Sequence, residues 1–562
     1  MNFASKGAVV LAACTALAAA PAFAAPADFR QRVDAEIAAD WPADGPGAAV
    51  IVTDHGATIY SGARGLADVA ARTPITPRTV FRIGSITKQF TASVILQFAA
   101  EGKLSLDDPL SRFLPDYPQP GASATVRQLL NHTSGIQPYT GIPGFMVEAN
   151  TNRPYTTDEL IAVFRDQPAL YRPGERYQYN NSGYVLLGAI IERVTGRPWH
   201  EAIEQRIARP LGLTTIRYGV GEVEMPLMAH GYSAGPDGVR PANRIHMSVP
   251  HAAGALLGSV EDLARWGQAL HHGRVVGAED YARMIARTAL PDGSTVPYGF
   301  GLSNATVRGR RAIEHTGGIF GFSTDSIYFP DQDLYIAVFT NSDAPATPPS
   351  LALRRIAALA LGDPYPTLNA VPLDAAAVEP FLGVYALPDG AERRFFMRDG
   401  KLYTRRTGAA DLEVFPAGDN RFFYGPDNLT WFRVVRDASG TAAIEMYQEG
   451  EAPAVRALRT GPVPPEAPTA AVPRETLASY VGRYASPRGP ILVAWGENGT
   501  LTVQPANQIA RALRATSATE FAIEGVDARV VFQVEGGAVT RLVIHQGSQE
   551  MVATREAAAP GS

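Results

Sequence analysis

The sequence predicts a mixed α+β domain, built from a helical cluster and one antiparallel sheet, followed by two small antiparallel β-barrel domains. Three observations support this prediction. Apolar residues recur at helical spacing through the middle of the N-terminal two thirds, whereas strand-like runs lie near both ends of that region. Short strands and turns replace the helices beyond a proline-rich linker. The C-terminal third also contains two similar segments, which indicates a repeated β unit.

Length and composition are those of a globular, multidomain protein with ample core. The chain has 562 residues, more than one ordinary domain, and 46% of them are apolar while 19% are charged. The net charge of -5 is spread without a block of like charge, so neither nucleic acid nor an anionic membrane surface is indicated as a partner. No apolar run after the N-terminus is long enough for a transmembrane segment.

The N-terminus has the pattern of a signal peptide over residues 1–24. Lys6 is followed by an apolar run, and Ala22-Phe23-Ala24 is a typical small-residue cleavage site. The protein is therefore expected to be exported, to the periplasm or the medium. Leu11-Ala12-Ala13-Cys14 resembles a bacterial lipoprotein box, so lipidation of Cys14 is an alternative. Cleavage after Ala24 is favoured because the apolar run continues past Cys14.

The first folded domain is expected to span residues 25–363. Two apolar runs around Asp54-His55-Gly56 predict a hairpin at its start. A helix begins at Ser85 and closes near Glu101-Gly102-Lys103. The proline-rich and glycine-rich region 219–250 is expected to form long loops. Further helices are predicted at 157–167, 185–194, 260–270 and 350–361, and strands at 48–52, 57–60, 311–319, 324–329 and 334–339.

The tail is expected to hold one β-barrel at residues 371–460 and a second at 473–557, separated by a proline-rich linker. The two segments match at an offset of 99 residues. Leu382-Gly383-Val384-Tyr385 corresponds to Val481-Gly482-Arg483-Tyr484, and Phe422 corresponds to Phe521. Repetition of the same short strand and turn patterns indicates two copies of one small β unit.

Ser85 and Lys88 are three residues apart, so a helix would place them on one face about one turn apart. A serine hydroxyl is a weak nucleophile at neutral pH and needs an adjacent base. A lysine can serve as that base only if burial or neighbouring groups lower the pKa of its amine. The S-x-x-K spacing predicts nucleophilic catalysis, but it also arises by chance, so its partners decide the matter.

Two further clusters follow in the order that an acyl-transfer site needs. Tyr179 and Asn181 stand in the loop before a predicted buried helix, and His315-Thr316-Gly317-Gly318 lies on a strand-like run. With Ser85 and Lys88, these motifs resemble those of class C β-lactamase-type serine hydrolases of peptidase family S12, in the penicillin-binding-protein superfamily. The resemblance covers residues 25–362 and implies a β-lactamase/transpeptidase-like catalytic domain.

The resemblance implies a role for each matching residue. Ser85 would form the acyl-enzyme, and Lys88 would take the proton of its hydroxyl. Tyr179 would relay that proton to the leaving group and help to activate water. Asn181 would orient Lys88 and bind the substrate amide. The N–H groups of Ser85 and Gly318 would form the oxyanion hole, which stabilises the negative charge of the transition state.

His315 departs from the pattern of the classical lactamases, which carry a lysine at this position. A histidine near its reference pKa is only partly charged at neutral pH, so a clamp for a substrate carboxylate would be weakened. Efficient β-lactam hydrolysis is therefore in doubt, whereas peptidase, amidase or esterase chemistry is not. His315 and Gly317 are still expected to line the substrate site.

The arrangement of a β-lactamase-type domain before two barrels resembles that of bacterial D-aminopeptidases, whose barrels are lipocalin-like. The resemblance implies an exported peptidase or amidase for peptides that contain D-amino acids, either D-aminopeptidase or D-Ala carboxypeptidase-like. One alternative is an esterase or weak β-lactamase. An alternative of another class is a penicillin-binding sensor that is acylated slowly and never turns over.

No metal site is indicated by histidine spacing, and no organic cofactor is required by the expected chemistry. The expected partners are small peptide, amide or ester substrates, with cell-wall peptide fragments among the candidates. No nucleic-acid partner is expected.

Overall fold

The computed structural model describes residues 26–220, 225–235, 238–466, 468–496, 499–506 and 508–556. The predicted signal peptide, with Cys14 in it, lies outside these residues. Backbone contacts divide the chain into an N-terminal unit that ends at Pro364 and a C-terminal unit that begins at Tyr365. Over the described ranges, no helix combines the length and apolar character needed to cross a membrane.

The N-terminal unit contains helices in its middle and strands toward both ends. Its helices are α1 Phe29–Asp40, α2 Thr87–Ala100, α3 Val126–Leu130, α4 Glu148–Thr151, α5 Thr157–Arg165, α6 Asn181–Thr195, α7 Trp199–Ile203, α8 His251–Gly254, α9 Val260–His271, α10 Ala278–Met284 and α11 Pro349–Ala360. Its strands are β1 Ala48–Asp54, β2 Ala57–Arg64, β3 Leu66–Asp68, β4 Thr73–Pro74, β5 Phe81–Arg82, β6 Arg217–Tyr218, β7 Tyr232–Gly235, β8 Gly238–Pro241, β9 Leu256–Gly258, β10 Thr288–Ala289, β11 Thr295–Val296, β12 Ser303–Val307, β13 Arg310–Ile319, β14 Phe322–Phe329 and β15 Leu334–Thr340.

A six-stranded antiparallel sheet forms the centre of this unit, in the order β12-β13-β14-β15-β1-β2. β1 pairs with β15, so residues from the two ends of the unit, such as Val50 and Val338, lie opposite each other. Side chains alternate between the two faces of a strand. Ala49 and Ile51 join the core of the helical cluster, whereas Val50 and Val52 join a second core with α1 and α11. The sheet is therefore covered on both faces.

The structure departs from the sequence prediction at two places. Ser85 lies in a 3₁₀ turn, Gly84–Ile86, that precedes α2 instead of belonging to the α-helix. Gly84 has a φ of 51°, outside the right-handed helical region, so the α-helix cannot extend back through it. The hairpin β7–β8 lies in the region expected to be long loops. These strands are too short and too polar for an alternating pattern to show.

The C-terminal unit contains two closed antiparallel barrels of eight strands each, and the predicted fold class is confirmed. The first barrel follows the short helix α12 Ala375–Val378 and consists of β16 Gly383–Ala386, β17 Glu392–Arg398, β18 Lys401–Arg406, β19 Leu412–Pro416, β20 Arg421–Phe423, β21 Trp431–Arg436, β22 Ala442–Tyr447 and β23 Val455–Gly461. The second follows α13 Arg474–Tyr480 and consists of β24 Gly482–Ala485, β25 Ile491–Trp495, β26 Leu501–Pro505, β27 Arg511–Ala515, β28 Glu520–Ile523, β29 Ala528–Glu535, β30 Ala538–Gln546 and β31 Gln549–Arg555.

Each barrel has a buried tyrosine at the equivalent position of its first strand. Tyr385 and Tyr484, which correspond at the offset seen in the sequence, are both 0% exposed. The hydroxyl of Tyr385 donates to the carbonyl oxygen of Phe381, and that of Tyr484 donates to the carbonyl oxygen of Tyr480 at 2.8 Å. Each phenol thus ties the first strand of its barrel to the preceding residues by the same hydrogen bond, because a buried hydroxyl needs a partner.

Candidate active site

Ser85 lies at the point where the chain enters α2. It is half-buried, whereas its neighbours Gly84 and Ile86 are buried. A Cβ at Gly84 would lie 2.9 Å from the backbone nitrogen of Gly318 in β13, so the turn and the strand approach each other backbone to backbone. The hydroxyl is therefore positioned at the junction between the helical cluster and the sheet.

Lys88 lies on α2 just beyond Ser85, and it is 0% exposed. Its Nζ atom is 3.0 Å from Ser85 Oγ, 2.8 Å from Asn181 Oδ1 and 2.7 Å from the carbonyl oxygen of Ala253. The centroid of the Tyr179 ring is 4.8 Å from Nζ. The contacts of the amine within the described residues are thus with neutral groups.

Burial lowers the pKa of the Lys88 amine well below its usual range. A neutral amine has two N–H groups and one lone pair. The oxygens of Asn181 and Ala253 can accept the two N–H groups, so the lone pair is left for Ser85 Oγ. This is the arrangement that a base needs in order to take the proton of a serine hydroxyl.

The carbonyl of Ala253 belongs to the short helix α8, and two hydrogen bonds fasten α8 and the start of β9 to α2. Thr91 Oγ1 donates to the carbonyl oxygen of Ala252 at 2.8 Å. The N–H of Leu256 donates to Thr87 Oγ1 at 3.1 Å. Both threonines are 0% exposed and are spaced four residues apart on one face of the helix. They hold the acceptor for the lysine amine in place.

Tyr179 and Asn181 are positioned by the start of α6. Asn180, which lies between them, is the N-cap residue, and its Oδ1 accepts the N–H of Gly183 at 3.4 Å. The backbone N–H of Asn180 donates to Nδ1 of the buried His132 at 3.1 Å. Anchoring Asn180 at both points fixes the residues on either side of it.

Tyr179 is 37% exposed, yet its hydroxyl is hydrogen-bonded to Ser85 among buried groups. Desolvation raises the pKa of this phenol, and the hydrogen bond with Ser85 opposes that effect without cancelling it. Tyr179 therefore keeps its proton at neutral pH. Since the amine of Lys88 is shifted toward its neutral form, the lysine is the stronger candidate for the base in the free protein.

Gly317 and Gly318 lie on β13, next to the turn that carries Ser85. A Cβ at Gly317 would lie 2.1 Å from the carbonyl oxygen of Ile83 and 2.3 Å from Thr324 Oγ1, so only glycine fits there. Thr324 Oγ1 also donates to the Ile83 carbonyl oxygen at 3.1 Å. Gly318 is exposed. Its backbone thus lies at the surface beside Ser85, where an oxyanion-hole donor is needed.

His315 is 5% exposed, and both of its ring nitrogens have partners. Nδ1 is 2.7 Å from the carbonyl oxygen of Thr316 and must donate to it, so Nε2 accepts from the hydroxyl of Tyr298 at 2.9 Å. Burial lowers the pKa of His315 to about 3, and the nearby Lys88 amine adds to this effect. The expectation of a partly charged ring is therefore wrong, since the buried imidazole is neutral at neutral pH.

His132 and Tyr298 complete the site, and the sequence analysis assigned neither to it. The His132 ring lies 4.4 Å from the Tyr179 ring and 4.6 Å from the Tyr298 ring, centroid to centroid. Burial lowers the pKa of His132 well below its usual range, so this ring is also neutral. A Cβ at Gly301 would lie 2.7 Å from the carbonyl oxygen of Lys88. The two glycines that follow Tyr298, Gly299 and Gly301, are the sequence feature that indicates a close approach of this segment to the backbone of α2.

All seven predicted site residues lie in one region of the N-terminal unit. Hydrogen bonds join Ser85, Lys88, Tyr179 and Asn181. The His315 ring lies 6.3 Å from the Tyr179 ring, centroid to centroid, and the backbone of the two glycines lies against the turn that carries Ser85. Their catalytic roles remain predictions. The seven are Ser85, Lys88, Tyr179, Asn181, His315, Gly317 and Gly318.

Comparisons with known proteins give consistent matches. A family model described as Beta-lactamase matches residues 31–361. Penicillin-binding protein 4* of Bacillus subtilis (strain 168) is 26% identical over 396 residues, which cover 66% of this chain and 87% of that protein. A D-aminopeptidase of Gluconobacter oxydans (strain 621H) is 28% identical over 433 residues, which cover 75% of this chain and 76% of that protein.

Two solved structures have a similar fold. The octameric penicillin-binding protein homologue from Pyrococcus abyssi matches with a TM-score of 0.54 and 26% identity, covering 77% of this chain and 99% of that chain. D-amino acid amidase from Ochrobactrum anthropi SV3, complexed with L-phenylalanine amide, matches with a TM-score of 0.52 and 25% identity, covering 59% of this chain and 96% of that chain.

Proposed function

The chain belongs to the Beta-lactamase family and is a serine hydrolase, and from this premise we propose that it hydrolyses peptides or amides of D-amino acids through an acyl-enzyme on Ser85. Relatives named D-aminopeptidase and D-amino acid amidase support the substrate class. The observation that carries the proposal is the buried Lys88 amine, 3.0 Å from Ser85 Oγ, with acceptors for both of its N–H groups.

The proposed reaction has two halves. In the first, Ser85 Oγ attacks the substrate carbonyl carbon while Lys88 takes its proton, and the N–H groups of Ser85 and Gly318 bind the resulting oxyanion. The proton then passes through Tyr179 to the leaving nitrogen, and the C–N bond breaks. In the second half, water attacks the acyl ester with the same residues as base and relay, which releases the acid and restores the Ser85 hydroxyl.

The neutral His315 favours amide substrates over β-lactams. A β-lactam carries a carboxylate, and binding this group needs a cation or several strong donors. His315 provides neither, because its ring is neutral and its Nδ1–H donates to the backbone carbonyl of Thr316. An aminopeptidase or amidase substrate without a carboxylate next to the scissile bond has no such requirement. We therefore place D-aminopeptidase or amidase activity ahead of β-lactamase activity.

The test uses purified protein with D-alanyl-p-nitroanilide, a p-nitrophenyl ester and a chromogenic cephalosporin, with Ser85→Ala as the control. We expect release of p-nitroaniline from the D-alanyl amide, and loss of this release in the variant. Turnover of the ester alone would favour a general esterase. A stable adduct on Ser85 without turnover would favour a penicillin-binding sensor.

We also propose export to the periplasm or the medium, where cell-wall peptides that contain D-amino acids are candidate substrates. The support is the charged start, apolar run and small-residue site in residues 1–24. N-terminal sequencing of protein from the periplasmic fraction is expected to begin at Ala25. A chain that still begins at Met1, or one lipidated at Cys14, would contradict cleavage after Ala24.

A further inference from the structure

A groove of about 1480 Å³ lies between the two barrels of the C-terminal unit. The barrels are joined by backbone hydrogen bonds, from Asp411 N–H to Gly525 O at 2.8 Å and from Asp527 N–H to Ala409 O at 2.9 Å. The N–H of Gly408 also donates to Asp527 Oδ2 at 2.8 Å. Small-molecule pockets usually measure roughly 300–1,000 Å³. The groove therefore has room for an extended ligand.

One wall of the groove is the outer face of β17 and β18. Arg394 lies directly opposite Arg405, and Phe396 lies directly opposite Tyr403. Phe395 belongs to the apolar core of the barrel, so the residues on either side of it face outward. The rings of Phe396 and Tyr403 are stacked, with their centroids 5.9 Å apart. The wall thus carries guanidinium groups next to an aromatic pair.

This wall has more positive than negative charge. The Asp411 carboxylate, only 4% exposed, lies 2.7 Å from a guanidinium nitrogen of Arg398 and 3.2 Å from one of Arg405. Arg394 forms neither an ion pair nor a hydrogen bond with any residue in the described part of the chain. Like charges directly opposite each other destabilise an antiparallel pair. A bound anion between Arg394 and Arg405 would remove that repulsion.

The other charged groups of the groove limit the kind of anion. Arg514 is paired with Glu466 at 3.4 Å and Arg529 with Glu520 at 3.0 Å. The carboxylates of Glu379, Asp399, Glu524 and Asp527 also line the groove. These carboxylates repel a densely charged polyanion. Single negative charges that are spaced along a chain, one to each ring-shaped unit, can reach the arginines while avoiding the carboxylates.

We propose that the groove binds an acidic oligosaccharide through its carboxylates. A guanidinium group matches a carboxylate with two parallel hydrogen bonds, and Arg394 is available for that contact. The faces of the sugar rings would pack on Phe396. Both barrels are closed over the described strands, so no free strand edge is available for a peptide to pair with, and the ligand must be recognised by side chains.

Isothermal titration of the full chain with oligogalacturonate tests this proposal, with the methyl-esterified oligosaccharide as the matched neutral control. We expect binding of the acidic form, weakening as salt is added, and no binding of the ester. Equal binding of both forms would overturn the role of the carboxylates. Stronger binding of polyphosphate or of poly-L-glutamate than of oligogalacturonate would overturn the assignment to a saccharide.

Arg394→Gln is expected to weaken the binding of oligogalacturonate at least about tenfold, because one charge-assisted contact is lost. Arg433→Gln is the matched control, since Arg433 lies on β21 of the same barrel, pairs with Glu445 and does not line the groove. Both variants should hydrolyse the D-alanyl amide and unfold at the same temperature as the unmodified protein. Unchanged binding in Arg394→Gln, in a folded protein, would refute the proposed site.

Discussion

Lys88 carries a fully buried amine whose nearest oxygens belong to a hydroxyl, an amide and a backbone carbonyl. An ammonium ion in such surroundings lacks the carboxylate that would offset its loss of water, so burial favours the neutral amine. Activity should therefore rise with pH as this amine loses its proton. The acid limb of the pH profile of kcat/KM reports the same group in the free enzyme.

Asn181→Asp should move that acid limb to higher pH. A carboxylate 2.8 Å from Nζ, in place of the amide oxygen, stabilises the ammonium ion and so raises the pKa of Lys88. Because only the neutral amine can act as base, kcat/KM at neutral pH falls. The measurement is the pH dependence of kcat/KM on the D-alanyl amide.

Asn181→Ala is the control for this charge effect, because it removes the acceptor without adding a negative charge. It should lower the rate without shifting the acid limb upward. An acid limb that stays at the same pH in Asn181→Asp would show that a group other than Lys88 controls it.

Thr91→Val should lower kcat with little change in KM. The variant has nearly the same shape but leaves the carbonyl of Ala252 without its donor, so α8 can move and carry the Ala253 carbonyl away from Lys88. Misplacement of a catalytic group reduces the rate steeply, and we expect a loss of roughly tenfold or more in kcat. Steady-state kinetics on the D-alanyl amide give both constants.

Thr91→Ser keeps the hydroxyl and should recover most of kcat, although it removes a buried methyl group. If Thr91→Val loses stability while its kcat stays unchanged, the hydroxyl is only structural.

At the scale of the elements, the contact between β13 and the Ser85 turn has no room for a side chain. Gly317→Ala would place a methyl group 2.1 Å from the Ile83 carbonyl oxygen, so the strand must move away. Gly318 moves with it, and loss of one oxyanion donor typically costs about a hundredfold or more in kcat. We expect a loss of this size, together with a lower unfolding temperature.

Gly318→Ala is the matched comparison on the same strand. Apart from its chain neighbours, no described residue has an atom within 4 Å of the position of the added Cβ, and alanine keeps the backbone N–H. This variant should fold normally and keep kcat within a few fold of the unmodified protein. Equal losses in the two alanine variants would show that crowding at Gly317 is not the cause.

At the scale of the whole N-terminal unit, one buried acid connects stability to pH. Asp325 on β14 is 0% exposed, and desolvation followed by the neighbouring Glu314 carboxylate raises its pKa well above the usual range, against the opposing effect of Arg354. The folded state therefore binds this proton more tightly than the unfolded state. The stabilisation is complete below the pKa that Asp325 has in the unfolded state, and it is lost as pH rises through the pKa of Asp325 in the folded state.

Asp325→Asn should stabilise the protein at high pH, because the amide stays neutral where the carboxyl must ionise. We expect a free energy of unfolding about 1–3 kcal/mol higher at about pH 8, and a difference that fades toward about pH 4. Urea unfolding of both proteins at the two pH values measures it. Asp331→Asn, at an exposed position, should change stability at neither pH. A variant that is less stable than the unmodified protein at the higher pH would contradict a neutral Asp325.

The fold class was predictable because its signals are local. Helical periodicity marks α9 and α11, apolar runs mark β14 and β15, and the repeated tail shows two similar barrels. The 3₁₀ turn at Ser85 was not predictable, because it depends on the backbone conformation of Gly84 and on the approach of β13. The Ala253 carbonyl was missed for a related reason. A backbone oxygen 165 residues from Lys88 leaves no mark in residue identity.

The amino-acid sequence by itself determined the family, the order of the site motifs and the order of the domains, one mixed domain followed by two barrels. These features follow from residue types at short spacings. Only the tertiary structure decided the charges in the site. The lowered pKa values of Lys88, His132 and His315 arise from burial by segments distant in the chain. The position of Arg394 in the wall of a groove likewise depends on how the two barrels meet. Desolvation and long-range charge are properties of three-dimensional surroundings, so no local pattern carries them.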